Sequence, residues 1–326
     1  MNNKNNTLPF LLVLVPALFF ANPPAANAQF SRESAKSGLL SYIQGPGADP
    51  ACGVCLGAAQ KFLDGKKKDE IVAKSAGMAL IAAGAYHVGS PDSLGDPDEH
   101  PAAKITLDAF YIEKTEVTLK DYMQFVKTTA GNYPEWAAPN GKFNMETGKD
   151  DYYRRLKALV ITCDTCPVFG VSWQNANAYC LWKKRRLPTE AEWEAAARAG
   201  AKEAYSFGDL PLGAGTYAWT EENSKNMPHP VGQKKPNKNG LYDMHGNVWE
   251  WVADVYDKKY YSARPANNPA GPPQGKGHVI RGGSWAGDTE SARSGNRASS
   301  KSANDDIGLR CVVTEAELTK PRDRDF

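Results

Sequence analysis

The stretch Gly240-Leu241-Tyr242-Asp243-Met244-His245-Gly246-Asn247-Val248-Trp249-Glu250-Trp251, followed thirty residues on by Arg281-Gly282-Gly283-Ser284-Trp285, decides the fold. A third motif, Arg186-Leu187-Pro188-Thr189-Glu190-Ala191-Glu192-Trp193-Glu194, precedes both. They sit in a chain of 326 residues with 29 glycines, 22 prolines and eight tryptophans, a composition that points to an irregular, loop-rich domain and away from a helical bundle. No cysteine lies between Arg281 and Leu309, and that absence bears on every chemical reading below.

The N-terminus reads as a secretory signal: Lys4 in a short polar region, an apolar run from Leu8 to Phe20, then Ala26-Asn27-Ala28 as the small-residue cleavage site. The run is short and broken by Pro16, so residues 1–28 are expected to be a removed signal and not a membrane span. The expected location is exported, periplasmic or secreted. With 39 basic and 37 acidic side chains the formal net charge is +2, and loss of Lys4 moves it closer to zero. Such a balance excludes a nucleic-acid partner and a charged membrane-surface role.

Residues 29–75 form a leader with Cys52-Gly53-Val54-Cys55 and a short helix carrying Lys66-Lys67-Lys68, a solvated face. From Met78 short apolar stretches read as strands: 79–82, 86–89 and 104–112. Thr118 is positioned to cap a helix over 119–128, and Ser172 opens a second through Trp173, Ala176, Tyr179 and Cys180. Thr189, with Glu192 three residues later and Gly200 beyond, frames a third. After it come loops and short strands to Val313, then a charged tail, 315–326, expected to be loosely held.

These motifs, in order and spacing, resemble the formylglycine-generating enzyme (sulfatase-modifying factor) family. The resemblance covers residues 76–314 and implies an α+β fold, irregular and loop-rich, related to C-type lectin-like folds. In the family's copper-dependent oxidases a cysteine pair follows the Arg-Gly-Gly-Ser motif and oxidises a cysteine of a sulfatase. Here Trp285, Asp288, Glu290, Arg293, Asn296 and Arg297 occupy that region, and no register supplies a sulfur. Soft Cu(I) wants soft ligands, so the oxidase site is expected to be degenerate, with these six as pocket candidates and with Arg293 and Arg297 open to a purely structural role. By the same resemblance Asp243 and Glu250 would give carboxylates, and Gly246 and Val248 carbonyls, to one structural Ca²⁺. Cys180 and Cys311 match positions that pair in the family.

Six cysteines in an exported chain favour disulfides. Cys52, Cys55, Cys163 and Cys166 nonetheless leave several states open: a four-sulfur zinc or iron site, a copper(I) site, two local disulfides, or two bridges between the pairs. The five histidines show no metal-ligand spacing, and there is no Gly-x-Ser-x-Gly, phosphate loop or dinucleotide fingerprint. Two functions fit: a binding, accessory or maturation protein that recognises a peptide or protein, or an exported oxidoreductase acting on a peptide or protein with altered metal ligands.

Overall fold

The computed structural model describes residues 53–320 except Asn140 and Lys142, with the backbone alone over 53–62. The expected signal segment, Cys52 and the last tail residues lie outside the described residues. The chain divides into two units, Met1–Asp64 and Gly65–Phe326. Helix α1 (Gly53–Lys74) runs through the boundary, and Lys66, Lys67 and Lys68 are exposed along it. No helix among the described residues is long and apolar enough to cross a membrane.

Within the second unit, β1 (Met78–Ile81) pairs antiparallel with β4 (Phe110–Glu113), and β4 pairs with β9 (Val312–Val313). Strand β2 (Gly84–Val88) pairs with β3 (Ala103–Leu107). The remaining sheet has the order β7-β6-β5-β8, from β5 (Trp249–Val255), β6 (His278–Arg281), β7 (Ala298–Ser300) and β8 (Ile307–Gly308), with β5 and β8 parallel. The motif that ends in Trp249-Glu250-Trp251 thus supplies the longest described strand, and β6 leads straight into Gly282-Gly283-Ser284.

The helices start where their caps dictate. The Thr118 hydroxyl accepts the Asp121 N–H at 3.2 Å ahead of α2 (Leu119–Thr129), and Ser172 accepts that of Asn175 at 3.2 Å ahead of α4 (Trp173–Trp182). Thr189 and Glu192 exchange both bonds of a capping box, at 3.2 and 2.8 Å, at the start of α5 (Glu190–Arg198). That helix stops as Ala199 and Gly200 turn left-handed, φ 47 and 85.

Two helices depart from the sequence reading. Helix α3 (Asp151–Thr162) falls where no element was expected; Asp150 caps it, but only Leu156 is buried along it, so the apolar stripe that would announce it is thin. The tail forms α8 (Glu315–Thr319), with Thr314 and Glu317 in a capping box and Leu318 buried, so residues 315–319 are held, not loose. Leu318 packs with Ile71, Met78 and Val313, which draws part of the leader into the domain. Short helices α6 (Ala214–Tyr217) and α7 (Tyr260–Ala263) complete the elements used here.

Two apolar clusters form the core. One gathers Tyr122, Phe125, Tyr179, Phe169, Trp136 and Trp251; the other joins Ile105, Phe110, Trp193, Met244 and Val252 around α5. Cys180 and Cys311 form a disulfide across a separation of 131 residues, tying α4 to the chain leading into β9, and Cys163 and Cys166 form one just past α3. Closing so long a loop removes more unfolded-state freedom than the local bridge can.

Candidate functional site: an acidic cleft beside a buried ion-pair lattice

Every residue of α5 is buried, although the helix carries three glutamates and an arginine. Buried charge is tolerated only when paired, and the pairing reaches across the domain. Arg281 donates to Glu194 Oε2 at 2.5 Å and to the carbonyls of Ser294 and Gly295 at 2.8 and 2.9 Å. Arg198 Nε donates to Glu194 Oε1 at 2.8 Å. Burial alone would raise Glu194, but Arg198 and Arg281 outweigh it and hold its carboxyl down to about 2. Glu192 takes two bonds from Arg186, each at 2.6 Å.

The lattice takes in two of the expected pocket residues, Arg293 and Arg297. Arg297 grips Glu190 through Nε and Nη2 at 2.6 and 2.9 Å, and Arg293 grips Glu99 through both Nη atoms at 2.8 and 2.9 Å. Both arginines are buried, with their bidentate forks engaged inside the fold, which gives them a structural role. Asp288 is exposed and accepts the Ser291 N–H at 2.8 Å, Glu290 is exposed at the start of a 3₁₀ turn, and Asn296 turns its carbonyl toward Arg281. Trp285 is buried; its N–H donates to Asn247 O at 2.8 Å, and its indole N–H has no partner among the described residues. The six candidates thus differ in environment: Trp285, Arg293 and Arg297 are buried, Asp288 and Glu290 exposed, and Asn296 intermediate. Gly283 explains the tightness: its φ is +76, and a Cβ there would sit 2.9 Å from Ala292 Cα.

The open space lies next door. Ser284 Oγ donates to Asp306 Oδ2 at 2.8 Å, and Trp249 N–H donates to the Asp306 carbonyl at 2.8 Å, so both signature motifs hold the loop that ends at Asp306. On the far side of that loop is a cleft of about 410 Å³, walled by Glu135 and Trp136, by Tyr152, Tyr153 and Leu156 of α3, by Phe143, and by 302–305. Tyr152 OH donates to Asp305 Oδ2 at 2.5 Å, and Trp136 Nε1 to Phe169 O at 2.8 Å, which fixes two of its rings. Gly170 ties the walls: it accepts the Glu135 N–H at 2.7 Å and donates to Asn304 O at 3.0 Å. The Glu135 carboxylate is half-buried and has no hydrogen-bond or ion-pair partner among the described residues. Burial, then the neighbouring Asp305, raise its pKa above the ordinary carboxylate value. Asp306 is raised by burial, with Asp305 adding to it and the Ser284 hydroxyl opposing it.

Few of these residues drew attention in the sequence. Segments as far apart as residues 135 and 305 build the cleft, and the helix that carries part of its aromatic wall falls where no element was expected. A usable signal was Asp150 followed by paired tyrosines and Leu156, one turn of an amphipathic face.

The residues matched to calcium divide into two environments. Asp243 is buried at φ +58, with Oδ2 accepting the Gly232 N–H at 2.6 Å and Oδ1 without a partner among the described residues. Glu116, absent from the sequence reading, is its neighbour: Oε1 accepts from Asn247 Nδ2 at 3.0 Å, and Oε2 is orphaned. Burial raises both carboxyls, and Asp243 raises Glu116 further. Glu250, by contrast, receives Arg310 through Nε and Nη2, each at 2.7 Å, and Trp193 Nε1 at 2.8 Å, so its charge is already balanced. Gly246 lies against the Trp219 backbone and Val248 is buried. No group of three or more His, Cys, Asp or Glu side chains is placed to hold a metal among the described residues. His245 is buried between Ala292 O and Ser206; Nδ1 faces a carbonyl and so carries the proton, while Nε2 accepts the Ser206 N–H. It ties the loop around Ala292 to Ser206.

Residues 65–315 match the sulfatase-modifying factor enzyme 1-like domain. The chain belongs to that family. It is 31% identical to the formylglycine-generating enzyme of Streptomyces coelicolor, over 74% of this chain and 90% of that protein. It is also 31% identical to the inactive C-alpha-formylglycine-generating enzyme 2 of Mus musculus, over 74% of this chain and 86% of that one. Among solved structures, PvdO from Pseudomonas aeruginosa is similar with a TM-score of 0.59 at 28% identity, covering 72% of this chain and 93% of PvdO. Treponema denticola variable protein 1 is similar with a TM-score of 0.57 at 26% identity, covering 72% and 94%. The irregular α+β fold is that of the formylglycine-generating enzyme family.

For a member of this family the state of its sulfur is the decisive chemistry. Cys163, Cys166, Cys180 and Cys311 are all in disulfides, and of Cys52 and Cys55 no side chain is described. The Cys163 and Cys166 sulfurs are bonded to each other, which takes them out of the zinc, iron and copper arrangements considered above, since metal ligation needs the thiolate.

Proposed function

We propose that this family member is an exported binding or maturation protein with a degenerate oxidase site, recognising a peptide or protein at the cleft beside Ser284 and Asp306. The donor set carries the reading: from Arg281 to Leu309 the sequence has no cysteine, and the four cysteines with described side chains are bonded in pairs, so no two thiolates there can take up Cu(I). The relatives do not decide between activity and its loss, because a named formylglycine-generating enzyme and a named inactive one match at the same 31% identity.

One structural Ca²⁺ belongs to this proposal. Two buried carboxylates with oxygens unpartnered among the described residues, Glu116 and Asp243, lie together with Arg310 near both and Lys234 near Asp243, and a hard divalent ion suits such oxygen donors. The carbonyls of Gly246 and Val248 would complete the set by family resemblance. Glu250 is assigned to Arg310 instead. The ion would fix the loop that feeds β5.

Elemental mass spectrometry and thiol counting on purified protein, together with a cysteine-peptide oxidation assay, test the reading. Calcium near one per chain, no transition metal and no oxidised peptide are expected. Copper, iron or zinc near one per chain, or turnover of the peptide, would overturn it in favour of an oxidoreductase with its metal at Cys52 and Cys55.

A further inference from the structure

The cleft has a chemical bias that the proposed function does not specify. Its described walls carry two carboxylates, Glu135 and Asp305, and four aromatic rings, but no lysine or arginine. Asp306, next in the chain to the 302–305 wall, adds a third carboxylate, bonded to Ser284 and to no cation among the described residues. An acid left without a counter-charge in a partly buried site lowers stability, yet here the fold keeps one among flat apolar surfaces.

An inorganic ion does not fit this arrangement. No three carboxylates, histidines or cysteines among the described residues converge there, and the aromatic rings offer a metal ion no ligand. Aromatic faces with nearby carboxylates suit an organic cation, whose charge meets the acids and whose stem lies along the rings. The form of the cation follows from the acceptors. Asp305 Oδ2 already accepts from the Tyr152 hydroxyl, which anchors that carboxylate in the wall and leaves Oδ1 as its oxygen with no described partner. What remains is one free Asp305 oxygen on the 302–305 loop and the Glu135 carboxylate on a separate turn. Acceptors on two separate elements are met by the diverging donors of a compact ammonium group, whereas a planar guanidinium fork favours the two oxygens of one carboxylate.

We propose that the cleft binds a primary ammonium group on an apolar stem, as a lysine side chain of the partner presents it, with Glu135 and Asp305 as acceptors and Trp136, Tyr152 and Tyr153 flanking the stem. The proposal rests on the peptide- or protein-binding reading above and names the group recognised. Glu135 is the discriminating residue, because its carboxylate makes no bond to any described residue of the domain.

Titration calorimetry on the full chain tests it with three blocked heptapeptides that differ only at the centre: lysine, acetyl-lysine or arginine between leucines. Free n-butylammonium serves as a separate probe. The lysine peptide is expected to bind at least about tenfold more tightly than the other two, the scale of one charge-assisted contact. Glu135→Gln is expected to erase that preference while its Tm stays near that of the parent. Equal affinity for the lysine and acetyl-lysine peptides, a preference for arginine, or an undiminished lysine preference in Glu135→Gln each overturns the proposal. Binding of n-butylammonium that competes with none of the peptides and is lost in Glu135→Gln supports the cleft chemistry while removing the peptide reading. Absence of binding by every probe overturns the inference.

Discussion

Around helix α5, Glu190, Glu192 and Glu194 each meet a guanidinium, whereas along the cleft Glu135 and Asp305 face aromatic rings and no described cation. The two regions lie in one domain and are built from the same residue types. Around α5 the acids are buried, and their desolvation must be offset within the fold, so each is held by guanidinium donors: Glu190 by the Arg297 fork, Glu192 by the Arg186 fork, and Glu194 by Arg198 and Arg281 together. At the cleft the acid is half-buried and has no partner among the described residues. Paired carboxylates here are architecture, and unpaired ones mark where something else is to be bound. The family's signature motif serves both sides: Arg281 enters the lattice, while Ser284, three residues on, holds the cleft loop through Asp306.

The hardest way to break this contrast is to remove a lattice member. Glu194→Gln deprives Arg198 and Arg281 of their shared counter-charge while both remain buried. Leaving a buried charge uncompensated costs on the order of 3–5 kcal/mol, to be read from urea unfolding at pH 7. The pH dependence carries the same signature. Glu194 is held down to about 2 in the folded protein, below its unfolded value. Its contribution is therefore present above the unfolded pKa and is lost as pH falls from there toward about 2. The parent should lose stability over that window more steeply than Glu194→Gln; equal slopes would mean that this carboxylate does not anchor the lattice.

Gly170 offers a smaller test on the other side of the comparison. It sits at φ +69, and a Cβ there would lie 2.9 Å from Trp136 Cδ1, between the Glu135 turn and the Asn304 loop that it ties together. Gly170→Ala is expected to cost about 1–2 kcal/mol for the left-handed backbone, with the strain directed into the cleft wall. A cleft that is pre-built should show this loss in chemical denaturation together with a changed Trp fluorescence. A silent substitution would mean that the walls are adjustable.

What the sequence disclosed follows the same division. Thr118, Ser172 and Thr189 were readable as caps because a capping bond is local, formed within three residues of its donor. The signature motifs fixed the family because their order and spacing lie along the chain. The Arg293–Glu99 and Arg297–Glu190 pairs span 194 and 107 residues, and nothing near either arginine signals its partner. Arg293 and Arg297 therefore looked like pocket residues as much as structural ones. The cleft was harder still: its walls come from 135–136, 143–156, 170 and 302–305, and α3 buries only Leu156, too little periodicity to place a helix. Glu116 escaped for a related reason, since it acquires meaning only when the chain brings Asp243 beside it.

The smallest effect is the most discriminating, because the two regions then predict opposite outcomes for one kind of change. Glu135→Gln removes a carboxylate of the type whose loss at Glu194 is costly, but no arginine depends on it and Asp305 repels it. Its pKa is raised by burial and by Asp305, so ionising it works slightly against the folded state. The substitution should leave unfolding stability at pH 7 within about 0.5 kcal/mol of the parent, and any shift should be toward greater stability. A loss of the size expected for Glu194→Gln would show that Glu135 is bonded in solution to a group of this domain. The cleft would then be another part of the lattice, and its unpaired acid would no longer point to a ligand.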